Sequence, residues 1–356
     1  QKLARKLLLS AADLPHGKPG AAQLLGLRAG LLVQMGEFDA VAQLASYAGN
    51  ATNDENLLKA RSDSLLAIND LDQACQIAAP QVKKSMDVYW LKLSGFCQIR
   101  RSDLTAAQLT LSLLNEQDDT DSATQAMLAA MIDKSAAPPK SLKNPSPLQL
   151  AMIRMASWPL PMNTVETAQT AALKILARPP ETEMDVRIAA AERAAELGAI
   201  GYSELEEIYT AREFTVAERA DAANAATQPG PRTNALMYQS VRQQDTEAGR
   251  ATALGVAWAA ARAGNSFTAV ARANIAATRD VIPVPELLGM ADNAGRALLT
   301  AGETASATRW FDMARNLEIT GNEDATKVKR SLWPLVRLAN GLDTLPHDPA
   351  EMESWL

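Results

Sequence analysis

The chain has 356 residues, of which 47% are apolar but only 4% aromatic, and it carries a formal charge of −6. Such a length exceeds one ordinary compact domain and predicts two domains or a repeat array. Acidic and basic residues are interleaved, which argues against a phosphate-tracking stripe and hence against nucleic acid as a partner; no apolar run approaches the roughly 18 residues that would span a bilayer. Alanine supplies much of the apolar content. It is the strongest helix former, whereas sheets favour β-branched and aromatic residues, so composition predicts an all-α protein.

In chain order, Gln1 to Ala12 (QKLARKLLLSAA) reads as a first helix, because its apolar patch is too short and too helix-periodic for a signal sequence. The absence of an initiator methionine is expected to reflect a matured chain or a piece of a longer one. Three segments then align: MGEFDAVAQLASYAG from Met35, INDLDQACQIAAPQV from Ile68 and RSDLTAAQLTLSLLN from Arg101. Their turn residues Gly36, Asn69 and Ser102 are 33 residues apart, the period of a helix–turn–helix unit. A small or polar residue ends one helix. An acid (Glu37, Asp70, Asp103) follows at the start of the next, where the helix dipole favours negative charge, and then an apolar residue (Phe38, Leu71, Leu104) enters the seam. Small residues recur at Ala29, Ser62 and Gly95 before the turn, and at Ala74 and Ala107 after it.

These positions resemble the tetratricopeptide-repeat family, with degenerate repeats. The likeness covers about residues 20 to 116 and returns at Gly295, Leu298, Gly302, Ala307, Phe311 and Ala314. The aromatic of early helix A is replaced by Leu25, Leu58 and Leu91, and the spacing is one residue short of the usual unit. The resemblance implies an α-solenoid of stacked antiparallel helix hairpins, a TPR-like superhelix.

Pro- and Ser-bearing breaks at Asp133–Pro147, Trp158–Asn163, Arg178–Glu181 and Gln228–Arg232 interrupt the apolar periodicity. Helices are predicted near 147–157, 163–177, 183–198, 202–211, 215–227, 232–244, 246–263, 266–278, 285–301, 303–318 and 323–340. Thr215, Asp245, Ser266 and Glu303 suit helix starts, and Pro285 suits a first turn. The predicted division is 1–134 for N-terminal repeats, 135–147 for a Pro/Ser-rich break, 148–342 for a C-terminal helical-repeat region and 343–356 for a loosely ordered tail.

Residues able to carry chemistry are few. His16 and His347, the two histidines, read as solvated loop residues beside prolines. Cys75 and Cys97 define neither a zinc site nor a disulfide framework; they read as two buried thiols, with a disulfide between neighbouring helices as the alternative. Asp118, Asp119 and Asp121 lack the spacing of a metal-binding helix face and suit helix capping, while Glu204, Glu206 and Glu207 suit a solvated first turn. Neither a phosphate-binding loop nor a nucleophile elbow occurs. Trp90, Trp258, Trp310 and Trp333 are expected in the core. No cofactor, metal or catalytic residue is therefore predicted.

The family resemblance implies a concave wall on the first helix of each pair. Mapped by position, it offers Lys59 and Asp63 in the second unit and Tyr89, Lys92, Phe96, Ile99 and Arg100 in the third as contacts for a protein or peptide partner. The competing reading is that Phe96 and Ile99 pack against the next helix. Gly26 and Gly30 stand where the family's carboxylate clamp has Lys and Asn, so that clamp is not expected. The leading expectation is a non-catalytic scaffold, with a bacterial cell-envelope or periplasmic setting slightly favoured over the cytoplasm. A carrier of an apolar ligand such as a lipid, for which Met152, Met155 and Met162 speak, is the alternative, and an α-helical enzyme comes third.

Overall fold

A computed structural model describes residues 2–10, 21–47, 53–117, 121–133, 137, 139–161, 163–178 and 182–340. His16, Asp118, Asp119, Met162, His347 and the tail from 343 lie outside these residues. The described chain is all-α: among its residues there is no strand, and no helix is long and apolar enough to cross a membrane.

The helices are α1 (Lys2–Leu9), α2 (Ala21–Gln34), α3 (Phe38–Ser46), α4 (Glu55–Ala67), α5 (Leu71–Lys84), α6 (Val88–Arg100), α7 (Leu104–Asn115), α8 (Ser122–Ile132), α9 (Pro147–Ala156), α10 (Thr164–Thr167) and α11 (Thr170–Leu176). They continue as α12 (Met184–Glu196), α13 (Tyr202–Ala211), α14 (Val216–Ala220), α15 (Ala222–Ala225), α16 (Pro231–Arg242), α17 (Glu247–Ala263), α18 (Phe267–Ala273), α19 (Ile275–Arg279), α20 (Ala291–Thr300), α21 (Thr304–Ile319) and α22 (Glu323–Asn340). A 3₁₀ turn, Pro285–Met290, leads into α20.

From α2 to α8 each helix packs on the next. The predicted turns are the reason. Gly36, Asn69 and Ser102 all take left-handed backbone angles, φ 67°, 64° and 61°. The residue after each turn donates its N–H back five positions: Glu37 to Leu32 O (2.8 Å), Asp70 to Leu65 O (2.8 Å) and Asp103 to Gln98 O (2.9 Å). This arrangement satisfies carbonyls left over at the helix end and reverses the chain within two residues. Asp70 and Asp103 then accept the N–H of Gln73 and Ala106, both at 3.2 Å, and so cap the following helices. Glu37 departs from that pattern. It makes no cap bond and instead pairs with Arg5 at 3.0 Å and Lys174 at 2.8 Å. The same left-handed turn recurs at Asn265, Gly302 and Gly321; of these, only Gly302 stands out in the sequence pattern.

One expectation is corrected. The cysteines are not free: Cys75 and Cys97 form a disulfide, because α5 lies against α6 with the two Cα atoms 5.7 Å apart, within the span of a cystine. By packing, the described chain falls into two compact units. One compact unit holds Gln1–Ala190 with Leu197–Ala199, and the second holds Ala191–Glu196 and the chain from Ile200 onward. The proline-bearing segment is a connector inside the first unit, since α9 packs back on α4 and α11 on α2.

One predicted helix breaks where tertiary bonds intervene. The run 163–177 parts at Ala168 and Gln169, where Asn144 Oδ1 accepts the Gln169 N–H at 2.9 Å and Asn144 N–H reaches Thr167 Oγ1 at 3.4 Å. Thr215 caps α14 in a reciprocal box with Glu218, and Thr246, not Asp245, caps α17. Trp90, Trp258, Trp310 and Trp333 are all buried.

Candidate functional site

The seven candidate groove residues fall into three groups. Lys59, Asp63 and Tyr89 meet across α4 and α6. The Tyr89 hydroxyl lies 2.9 Å from Asp63 Oδ1 and 3.1 Å from the Lys59 carbonyl, while Lys59 Nζ bridges Glu55 and Asp87 at 2.9 Å each. Burial pushes the Asp63 carboxyl up to about 7 against the opposing effect of the Tyr89 hydrogen bond. Lys92 and Arg100 are spoken for elsewhere: Lys92 pairs with Asp121 at 3.0 Å and Arg100 with Asp72 at 2.8 Å. Phe96 is fully buried and Ile99 packs against the same core, so the packing alternative describes these two.

That core is built from α4 to α9 together. The helix α9 contributes Leu148, Ala151, Met152 and Ile153 to it, alongside Leu58, Leu66, Trp90 and Phe96. Polar contacts set its place at both ends. Gln149 Nε2 donates to Thr124 Oγ1 at 3.0 Å and Asp121 Oδ1 at 3.2 Å. The Arg154 guanidinium donates to the Leu66 carbonyl at 2.5 Å and the Ala67 carbonyl at 3.5 Å, at the C-terminal end of α4 where the helix dipole favours a cation. Ser146 starts the helix with a capping box to Gln149, and Pro147 occupies the first turn. Both the core-facing and the flanking residues of α9 are buried, from Leu148 through Ile153. The helix is therefore core, and it shares that core with Phe96 and, at the margin, with Tyr89 and Ile99, while Lys59, Lys92 and Arg100 keep part of their surface accessible.

Beyond α9 the first unit opens a cleft of about 580 Å³. Leu150, Ile153, Trp158, Pro159 and Leu160 form one side, Ile175, Leu176 and Val186 the other, and Arg154, Ser157, Thr182 and Glu183 supply polar groups. Local chemistry positions its wall. Ser157 ends α9 in the left-handed conformation, φ 51°, and the Trp158 N–H returns to the Ile153 carbonyl at 3.1 Å, which places the indole beside the helix just finished. Trp158, Pro159 and Leu160 appear in the sequence only as a helix break; their value as a wall depends on α11 and the start of α12.

In the second unit lies a buried acid that the sequence reading passed over. Glu192 accepts from the Tyr209 hydroxyl and from Asn234 Nδ2, both at 2.8 Å, and Asn234 Nδ2 is also 2.8 Å from Ser266 Oγ. Burial pushes its carboxyl up to about 7, with the Asn234 and Tyr209 bonds opposing. The available signal is its register: Glu192 follows Ile188 by four residues and precedes Ala195 by three, on the buried face of α12. A buried carboxyl that accepts from donors on two other helices makes a polar clamp between them. Among the described residues, no three His, Cys, Asp or Glu side chains converge as metal ligands.

Compared with family models, with curated proteins and with solved structures, the chain matches none.

Proposed function

We propose that this chain is a non-catalytic protein-binding scaffold, a degenerate tetratricopeptide-like α-solenoid that takes its partner in the cleft beside α9. The three left-handed turns at a 33-residue spacing support the repeat reading. The observation that carries the binding site is the cleft itself: concave, apolar along both walls, with a tryptophan at its edge and an arginine and a glutamate among the polar groups. Recognition sites combine an aromatic anchor with a few orienting polar groups in this way. Phe96, by contrast, belongs to the core that α9 shares, and Lys59 and Lys92 are engaged in ion pairs with Asp87 and Asp121. A disulfide fits a thiol-oxidising compartment, and with it a cell-envelope setting.

Capture of partners from the source cell with wild type, with Trp158→Ala/Leu160→Ala and with Arg100→Ala tests the assignment. The cleft variant should lose the captured protein, and the Arg100 variant should keep it. Equal recovery by all three removes the cleft as the site.

One observation favours a second reading. A cleft of about 580 Å³ lies in the size range of small-ligand sites, which suits an apolar ligand. Native mass spectrometry of the purified protein would then show a bound lipid that Trp158→Ala releases.

A further inference from the structure

Elsewhere in the first unit, α1 and α2 present leucines to solvent. Leu3 and Leu7 of α1 are 81% and 71% exposed, and Leu24, Leu27 and Leu31 of α2 are 36%, 63% and 48% exposed. The spacing puts each set on one helix face: positions i and i+4 in α1, and i, i+3 and i+7 in α2. Single exposed leucines need no explanation, but a cluster of them on adjacent helices marks an interaction surface.

The two helices are held in fixed relation. Arg28, one turn from both Leu24 and Leu31, donates from Nε to the Leu8 carbonyl and from Nη2 to the Ser10 carbonyl, each at 2.6 Å, and so fastens the C-terminal end of α1. Arg5 Nε pairs with Glu37 at 3.0 Å on the inner side of α1. With Arg5, Leu8 and Leu9 turned partly inward, Leu3, Lys6 and Leu7 face out.

Charge identifies the partner. The sequences KLARKLLL and AAQLLGLRAGLLVQ contain Lys2, Arg5, Lys6 and Arg28 and no acid, although the chain as a whole carries −6. Arg5 is paired with Glu37 and Arg28 is engaged with the Leu8 and Ser10 carbonyls, while Lys6 stands exposed among the leucines. Aromatic residues and methionine enrich the cores of protein interfaces, and the exposed apolar side chains named here are all leucine. Leucines beside lysine and arginine on helices lying flat are the composition that enters the interface of an anionic bilayer.

We propose that α1 and α2 form a membrane-surface docking face, inserting Leu3, Leu7, Leu24, Leu27 and Leu31 at the headgroup boundary while Lys6 lies against anionic headgroups. The cleft beside α9 plays no part in this contact, so the two proposals stand or fall separately.

Co-sedimentation with vesicles tests it, comparing phosphatidylcholine alone with an about 70:30 mixture of phosphatidylcholine and phosphatidylglycerol. Wild type should bind the mixed vesicles, weaken as salt rises, and bind the neutral vesicles poorly. Leu27→Glu/Leu31→Glu should lose at least about tenfold in affinity, since two apolar groups leave the interface and two like charges enter. Lys6→Glu should lose about fivefold per unit of charge changed. All three sites are exposed, and circular dichroism checks that the variants fold; if the leucine variant misfolds, Lys6→Glu carries the test. Wild type that ignores anionic vesicles, or variants that bind them as wild type does, would overturn the proposal. So would a dimer seen by light scattering and abolished by Leu27→Glu/Leu31→Glu without vesicle binding, which would assign the stripe to a second copy of the chain.

Discussion

The two compact units close successive helices on one another with different side chains. In the first, the polar work is done at helix ends. Asp54, Asp70, Asp87, Asp103 and Asp121 each accept a backbone N–H from the first turn of the helix they begin, and a cystine joins α5 to α6. In the second, α18, α20 and α21 start without a side-chain cap bond. Their closeness comes from buried alanines, such as Ala269, Ala271 and Ala273 or Ala291, Ala294 and Ala297, set around Trp258 and Trp310. Caps solve a helix's unsatisfied N–H groups locally, whereas small-residue packing solves nothing until the partner helix arrives. The second unit carries a buried acid, Glu192, inside the packing, as the first carries Asp63 against Tyr89.

The largest effect that would sharpen this contrast is expected from the cystine. Replacing Cys75 and Cys97 by serine releases a link between residues 22 apart and should cost about 3 kcal/mol of stability, from the chain entropy that the link withholds from the unfolded state. Guanidinium titration of wild type with and without reductant reads the same quantity. Intact mass after alkylation tests the pairing itself: a protein that takes up two alkyl groups without reduction would show that the thiols are free.

The buried acids come next. Each binds its proton more tightly folded than unfolded, Asp63 moving from 3.8 and Glu192 from 4.5 to about 7. Their contribution is therefore fully present below about pH 4 and declines as pH rises toward 7, so alkaline conditions weaken the fold through both groups. Glu192→Gln should flatten this decline and raise stability near pH 8 by up to about 3 kcal/mol. Asp63→Asn should do less, because Asp63 keeps part of its surface accessible and solvent screens it. Thermal melts between pH 5 and pH 8 (about that range) separate the two; a Glu192→Gln protein with an unchanged pH profile would mean that Glu192 stays ionised and well solvated.

The smallest effect concerns the turns. Ser102 sits at φ 61°, where a side chain is strained and glycine is not. Ser102→Gly should stabilise the protein by roughly 0.5–1 kcal/mol. Gly36→Ser, the reverse exchange, should destabilise by more, since a Cβ there would meet Lys174 Cδ at 2.5 Å as well as adopt an unfavourable φ. Chemical denaturation measures both, and a loss of stability in Ser102→Gly would show that the serine hydroxyl contributes to the turn.

Much of the helical architecture was legible in the residues. The turns at Gly36, Asn69 and Ser102, the caps at Asp70, Asp103 and Asp121 and the helices at 202–211 and 323–340 depend on partners within about five positions, where pattern and propensity speak directly. The candidate site was legible in part. Lys59, Asp63 and Tyr89 do meet, but a likeness to a repeat family cannot say what covers the face they share. Trp158 and Glu192 carried weak signals, one hidden in a helix break and the other in a run of alanines.

What the amino-acid order determined by itself was thus the all-α class and the sites of chain reversal, because unsatisfied backbone groups and left-handed turns are settled between near neighbours. Tertiary structure alone decided that α9 joins the core that holds Phe96, that Cys75 meets Cys97 and that the first unit runs on to about residue 190. Arg154 and the Leu66 carbonyl it grips are 88 positions apart. No local preference encodes such a meeting; it follows from apolar faces finding the arrangement that removes most of their surface from water.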